Sequence, residues 1–417
     1  MTLDTRHIAA IATGASLPLM VFGVAVMQGG LIIALTAALF SVGRFKNYGN
    51  QAARSLFTGM VAFVLLAWLP SIATSIEPLR SLETWGRIPL LILASTILWM
   101  LLRDDERLYF LSIRSLLCSA AGVSLFAVFL INGGTNVLYD IFHTKGVFNL
   151  IRPFKAYSNV AMCLVPLLLF AGYSLKGRWW SAALAIVALN LLIIAQTRTG
   201  AALAGLITAS AFIGLLKAYR HPKFRFAYLL TFLMAIPAAW VWLSNKVNPE
   251  TPSPNIVPNW LVDGHRQYIW RFAYEKIWES PWFGHGINAI DRIPGAKDHP
   301  PGIDHPYIPS HPHNIYLEVG AETGLIGLSA LLIVIGIFVV VWTRQYFDAT
   351  TKDVNESNRY LAMLAVWVAF WTSSTLNFSL WSAWWELTLF VSMALLLAGP
   401  RFGSNPLGDQ ENPLKGH

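Results

Sequence analysis

Charge is what this sequence has least of. Asp, Glu, Lys and Arg make up 12% of its 417 residues, against roughly 25% in a soluble domain. With 55% hydrophobic residues and a mean hydropathy of +0.52, that scarcity excludes an ordinary water-soluble globule. Cysteine is nearly missing. The two present, Cys118 and Cys163, both fall in apolar stretches, so neither a disulfide nor thiol chemistry is expected. There is no Asp-x-Asp to hold a divalent ion on a phosphate, and no His-Glu-x-x-His. The net charge of +8 calls for no nucleic acid, because cytoplasmic loops of membrane proteins are usually basic.

Long apolar runs fill the space that charge leaves. They predict an all-α polytopic membrane protein of about twelve transmembrane helices. The predicted spans are 8–27, 31–42, 56–76, 88–102, 109–131, 159–175, 179–196, 201–216, 226–243, 325–342, 360–378 and 380–398. The first run follows Arg6 and His7 directly and reads as an uncleaved span. Gly29-Gly30 reads as a tight turn after it. The 17 tryptophans and 13 tyrosines suit interfacial belts.

The short basic loops give a direction. Arg44 and Lys46, Arg103 and Arg107, Lys176 and Arg178, then Lys217, Arg220, Lys223 and Arg225, and last Arg344, Lys352 and Arg359 all follow even-numbered spans. By the positive-inside rule both termini are cytoplasmic and the odd-numbered loops face outward, which in a bacterium is the periplasm. The chain then forms one integral membrane unit over 1–417. A large, partly helical outside loop, 244–323, lies between helices nine and ten, and a second long outside loop covers 132–158.

The large loop carries six of the ten histidines and ends in Ser310-His-Pro-His-Asn-Ile-Tyr-Leu-Glu-Val-Gly-Ala-Glu-Thr-Gly324. Ser310 can cap a helix and Pro312 suits a first turn, which puts His313 near a helix N-terminus. The dipole there disfavours the imidazolium, so His313 is expected to be neutral and able to take a proton. Glu318 and Glu322, four apart, share a face. Asp298-His299-Pro300, Asp304-His305-Pro306 and Ser310-His311-Pro312 recur at six-residue spacing. They read as a turn-rich lid or as a metal site; without tight ligand spacing, no metal is expected.

Within the loop, 264–280 reads as an amphipathic helix capped by Asp263, with Ile269, Trp270, Ala273 and Ile277 on its apolar face. Arg266 in its first turn either snorkels to lipid phosphate or binds a ligand. Arg198 sits in Gln196-Thr-Arg-Thr-Gly200 between two apolar runs, as a head-group anchor or a functional charge. Arg152, Lys155, Arg198, Arg266 and Arg271 are therefore cations on one face, opposite only scattered acids. Guanidinium groups can grip phosphate oxygens and neutralise a departing diphosphate, the task a metal performs elsewhere. A neutral histidine beside them can deprotonate an attacking hydroxyl.

An ordered set of motifs resembles the O-antigen ligase and O-antigen polymerase superfamily. The pieces are Tyr157-Ser158-Asn159-x-Ala161, Thr197-Arg198-Thr199-Gly200, and Arg266-x(3)-Trp270 followed by Pro281-Trp282-Phe283-Gly284-His285-Gly286. The last is His313-Asn314-x-Tyr316-Leu317-x(4)-Glu322-x-Gly324-Leu325-Ile326-Gly327. The resemblance implies a metal-independent, inverting membrane glycosyltransferase of the GT-C type that needs no cofactor. Its donor would be a glycan on undecaprenyl diphosphate and its acceptor, for a ligase, the lipid A–core oligosaccharide. The implied setting is the periplasmic face of the bacterial inner membrane, with membrane lipids as further partners. His313 would be catalytic, and Arg198 and Arg266 would bind the diphosphate. Arg152, Lys155, Tyr157, Asn159, Arg271, His311, Asn314, Glu318 and Glu322 would support them. A polymerase would share donor and motifs. A small-anion transporter is the reading from another class; the predicted spans disfavour it, because apart from Arg114 they carry almost no ionisable side chain at mid-depth.

Overall fold

The computed structural model describes residues 4–40, 55–133, 154–220, 262–350 and 353–399, with 223, 225–227, 230, 252–256, 258 and 259 between them. Arg44, Lys46, Arg152, Lys352, most of the 132–158 loop and most of the expected span 226–243 lie outside those residues. The described residues are helical, with no strand among them. In order they form α1 (Thr5–Ser16), α2 (Val24–Leu39), α3 (Leu56–Trp68), α4 (Pro70–Ala73), α5 (Pro78–Asp104), α6 (Glu106–Gly133) and α7 (Phe154–Leu175). There follow α8 (Arg178–Thr197), α9 (Gly200–Arg220), α10 (Gly264–Glu279), α11 (Ile315–Thr350), α12 (Val354–Ser373) and α13 (Ala383–Ala398). Among the described residues, seven helical stretches are long and apolar enough to cross a membrane, and α2 and α13 are shorter apolar helices. The protein is multi-pass.

The start of the chain departs from expectation. Gly29 and Gly30 lie inside α2 rather than in a turn. The break comes earlier, where Pro18 opens the 3-10 turn Pro18–Phe22 and Gly23 takes φ 110°. Pro18 has no amide hydrogen to continue α1, and Gly23 enters a region that side chains avoid. α1 then lies against α6, backbone to backbone. A side chain at Gly14 would run into the Ser112 carbonyl. Ser115 and Ser119 donate their hydroxyls to the carbonyls of Ile11 and Ala15 at 2.8 and 3.1 Å. Where lipid removes the hydrophobic drive for helix pairing, such small-residue contacts and interhelical hydrogen bonds do the holding. Deeper in the bundle, Tyr157 of α7 bonds Asn190 of α8 at 2.9 Å and Ser124 of α6 at 3.2 Å.

The connections sort to two ends. At one end, Arg6 faces Asp105 at 3.8 Å, and Arg103 and Arg359 both donate to the Gly399 carbonyl at 3.1 and 3.0 Å. At the other, Ser158 meets Thr197 at 2.8 Å, Ser373 bonds Asn159 at 3.1 Å, and the Ile315 amide bonds the Ser374 carbonyl at 3.0 Å. The connection before α5 joins that second end: Ser81 donates to the Ile287 carbonyl at 2.8 Å and Thr74 to that of Gly284 at 3.1 Å.

α11 is two helices in one. Gly324, at φ 68° and ψ −176°, interrupts it where the sequence predicts the tenth span to begin. That backbone region is essentially open only to glycine. The interruption strips the Ala321 and Glu322 carbonyls of their helical donors, and the amides of His285 and Gly286 replace them at 3.0 and 2.9 Å. In return the Leu325 amide donates to the Pro281 carbonyl at 2.7 Å. A side chain on Gly324 would collide with the backbone of Trp282 and Phe283. Gly324→Ala should therefore cost on the order of 3 kcal/mol, read as a lower melting temperature in detergent. Gly29→Ala, which meets nothing within 4 Å, should leave melting unchanged. Equal melting of both variants would show that the break is not obligatory.

Candidate functional site

The site is built at the second end, around the start of α11. Asn314 caps that helix, its Oδ1 accepting the amides of Tyr316 and Leu317 at 3.1 and 3.2 Å. The expected cap, Ser310, instead bonds Nδ1 of His311 at 2.9 Å, and Pro312 lies outside the helix. An asparagine nearer the apolar run satisfies the same orphan amides with no intervening proline. His313 stands immediately before the cap in a left-handed conformation, φ 54°. For a non-glycine residue this costs about 1 kcal/mol. Its ring lies 4.2 Å from that of His311, centroid to centroid.

Arg266 completes the cluster. Asp263 caps α10 by accepting the Arg266 amide at 3.0 Å, as expected, and its other oxygen stands 3.5 Å from the guanidinium. Arg266 also donates to the Leu376 carbonyl at 3.1 Å, in the connection between α12 and α13. The next carbonyl along, that of Asn377, faces both imidazoles. Burial pushes His313 down to about 3, and His311 and Arg266 add to the shift; the Asn377 carbonyl opposes it. Burial likewise takes His311 down to about 4, against the Asn377 carbonyl and with Arg266. Both imidazoles are therefore neutral at pH 7. The neutrality matches the expectation for His313, but its main cause is desolvation rather than the helix dipole.

The other candidates divide. Arg198 caps α8 in a left-handed conformation with its side chain exposed. Its neighbour Thr197 bonds Ser158, and Asn159 bonds Ser373, beside the serine that receives the Ile315 amide. Arg198 thus lies at the same end as His313, two helices across. Lys155 is exposed at the start of α7, where its carbonyl accepts the Asn159 side chain at 2.8 Å. The Tyr157 hydroxyl bonds Ser124 and Asn190 inside the bundle, on the buried stripe of α7. Arg271 is exposed and pairs with Glu275 at 2.9 Å. Arg152 lies outside the described residues.

Glu318 and Glu322 are buried and hold backbone. Glu318 accepts the Leu380 amide at 2.8 Å. Glu322 accepts the amides of Asn288 and Ile290 at 2.8 and 2.9 Å and the Trp381 indole. Arg80, unmarked in the sequence, pairs with Asp291 at 3.0 Å and bonds Asn288 at 3.2 Å. The Leu376 and Asn377 carbonyls carry no sequence signal either, since main-chain groups leave no mark in composition, though the Asn377-Phe378 interruption between the last two predicted spans marks the place. Of the His/Asp repeat, His299 faces Asp304 at 3.9 Å and His265 bonds the Pro306 carbonyl at 2.9 Å. Among the described residues, no group of three His, Cys, Asp or Glu side chains is placed to hold a metal ion.

Fold and site together define a multi-pass membrane protein with a cluster of two imidazoles and a guanidinium at one end of its bundle. Residues 182–332, which include Arg198, Arg266, His311 and His313, match the family model described as O-antigen ligase. A protein of Rickettsia prowazekii named as a proposed polysaccharide ligase is 24% identical over 168 residues, covering 37% of this chain and 38% of that protein. One of Rickettsia bellii, named likewise, is 25% identical over 169 residues, 37% of each chain. The matched region is thus well under half the length of these curated relatives.

Three donors converge on one buried carboxyl, so Glu322→Ala should cost about 3 kcal/mol or more by leaving them unpaired. Limited proteolysis should then open the 281–290 segment first. Protection unchanged from wild type would show that Glu322 does not anchor that loop.

Proposed function

We propose that the chain transfers an O-antigen glycan from undecaprenyl diphosphate to lipid A–core oligosaccharide, without a metal, at the periplasmic face of the inner membrane. In this reading both termini are cytoplasmic, and the 244–323 loop carries the reaction. The observation that supports it most is the pairing of two neutral imidazoles with Arg266 and, among the described residues, no carboxylate facing the rings. Arg266 and Arg198 hold the diphosphate, since a guanidinium fork matches phosphate oxygens and stays charged. His313 takes the proton of the acceptor hydroxyl. That oxygen forms the new bond to the anomeric carbon as the old bond to phosphate breaks from the opposite side, inverting the centre. The electron pair leaves with the diphosphate, whose growing charge the guanidinium groups neutralise. The left-handed turn at His313 fixes the ring just outside the helix rather than on its flank.

The direct test is lipopolysaccharide from a deletion strain, separated on a gel. Core alone, with donor accumulating, marks a ligase; core plus one repeat unit marks a polymerase. His313→Ala should insert and fold yet attach no glycan, and Arg266→Lys and Arg198→Lys should restore little because the fork is lost. Full attachment by the His313 variant would remove that residue from the reaction.

The electrostatics add a pH test. With burial, His311 and Arg266 acting on it, His313 is a weak base, pushed down to about 3. A bound diphosphate offsets Arg266 with negative charge and raises the imidazole. kcat/KM reports the free enzyme and kcat the complex, so the acid limb of kcat should lie at higher pH than that of kcat/KM. Coincident limbs would argue that no anion sits beside His313.

A further inference from the structure

A second charged cluster stands between α10 and α11, apart from the histidines. The 3-10 turn Ile290–Arg292 carries Asp291, whose side chain is only 13% exposed. Three cations meet its two oxygens: Arg80 at 3.0 Å, Arg292 at 3.7 Å and Lys297 at 3.8 Å. Among the described residues, no other carboxylate pairs with any of the three, so one acid is left to balance them. The side chains of Arg292 and Lys297 are more than half exposed, at 58% and 53%, and carry the surplus charge outward. The cluster is fixed from beneath. Arg80 bonds the Asn288 side-chain oxygen at 3.2 Å, and the Asn288 side-chain amide donates to Thr84 at 3.2 Å. The main-chain amide of Asn288 is one of those that Glu322 holds. Lys297 donates to the carbonyls of Ile308 and Pro309, both at 3.1 Å, and Pro309 is two residues from His311. Arg80 itself lies in the first turn of α5, along which Leu79, Leu82, Leu90 and Leu93 are exposed. The cluster thus stands where a lipid-facing helix meets the loop.

We infer that this cluster binds a phosphate on the sugar head group of the acceptor lipid; the inference rests on the glycan-transfer reading above. Charge complementarity carries it. Cations already gathered on one half-buried carboxylate are held in place for a second anion, so little further ordering opposes its binding. In the proposed reaction the donor diphosphate has its guanidinium groups in Arg266 and Arg198, which leaves the acceptor as the amphiphile without a handle. An acceptor needs one, because its hydroxyl must be brought to His313 in a fixed orientation. Position separates the cluster from an ordinary belt of head-group anchors. An arginine at a helix end meets bilayer phosphate by snorkelling alone. Here two of the three cations come from the loop that also carries the histidines, and they converge on one point.

The test measures binding without donor, to the full chain in phosphatidylcholine nanodiscs, against empty nanodiscs. The probes are lipid A–core and the same molecule stripped of phosphate by a phosphatase. The phosphorylated form should bind about tenfold tighter, and the gap should narrow at high salt. Arg292→Gln should lose most of that gap and Arg292→Glu more, with melting unchanged because the side chain is exposed. Arg107→Glu, exposed at the opposite end of the bundle, should bind as the wild type does. Equal binding of the two probes, binding indifferent to Arg292, or equal displacement of the probe by phosphatidylglycerol would overturn the inference. The comparison of probes on the wild-type protein stands even if a variant misfolds. Glycan transfer is scored separately. Phosphate-dependent binding with no transfer sinks the reaction and keeps the site; transfer with an unchanged acceptor KM in Arg292→Glu does the opposite.

Discussion

The structure depends on one exchange of main-chain hydrogen bonds. Gly324 breaks α11, and the loop Pro281–Gly286 repairs the break by donating to Ala321 and Glu322 and accepting from Leu325. Unpaired peptide groups inside a membrane protein cost several kcal/mol each, so a broken helix there survives only with such a substitute. The Glu322 side chain extends the repair by gathering the amides of Asn288 and Ile290 and the Trp381 indole. Three separate stretches of chain are thereby fixed to one half-helix, and that half-helix is the one His313 introduces.

The chemistry follows from what surrounds the histidines. With burial as the main cause and a guanidinium as neighbour, both rings lose their protons far below neutral pH. A carboxylate beside them would have done the reverse. Among the described residues, Arg266 faces Asp263 and the Leu376 carbonyl, so the burial that keeps the rings neutral lies beside a guanidinium that stays charged.

The helical fold, the sorting of loops to two ends and the loop helix 264–279 were legible from periodicity, capping and the placement of Lys and Arg. The tenth predicted span starts at Leu325, where a polar run meets an apolar one, but that the helix already begins at Ile315 and is interrupted at Gly324 was not foreseen. The start of the chain was misread: Gly29-Gly30 looks like a turn, yet Pro18 and Gly23 outrank it by removing a donor and supplying a positive φ. Sequence gives the end of the bundle but not the rotation of a side chain about its helix, so neither the inward bonds of Tyr157 nor the Arg271–Glu275 pair could be read from it. Whether a polar residue points into the core, as Tyr157 does, or pairs with its own helix neighbour, as Arg271 does, is decided by packing. The carbonyls of Leu376 and Asn377 were beyond reach for a simpler reason, since every residue has one.

The strap between α10 and α11 closes on itself. The Ile308 amide bonds the Ala296 carbonyl and the Tyr307 amide that of Asp298, both at 2.8 Å, so the excursion between them begins and ends at nearly the same point. A self-closed segment of this kind tolerates replacement better than its exposed position and many prolines suggest. It is a cassette: its length and sequence can be rewritten by grafting from relatives while the stitched hinge beneath stays as it is.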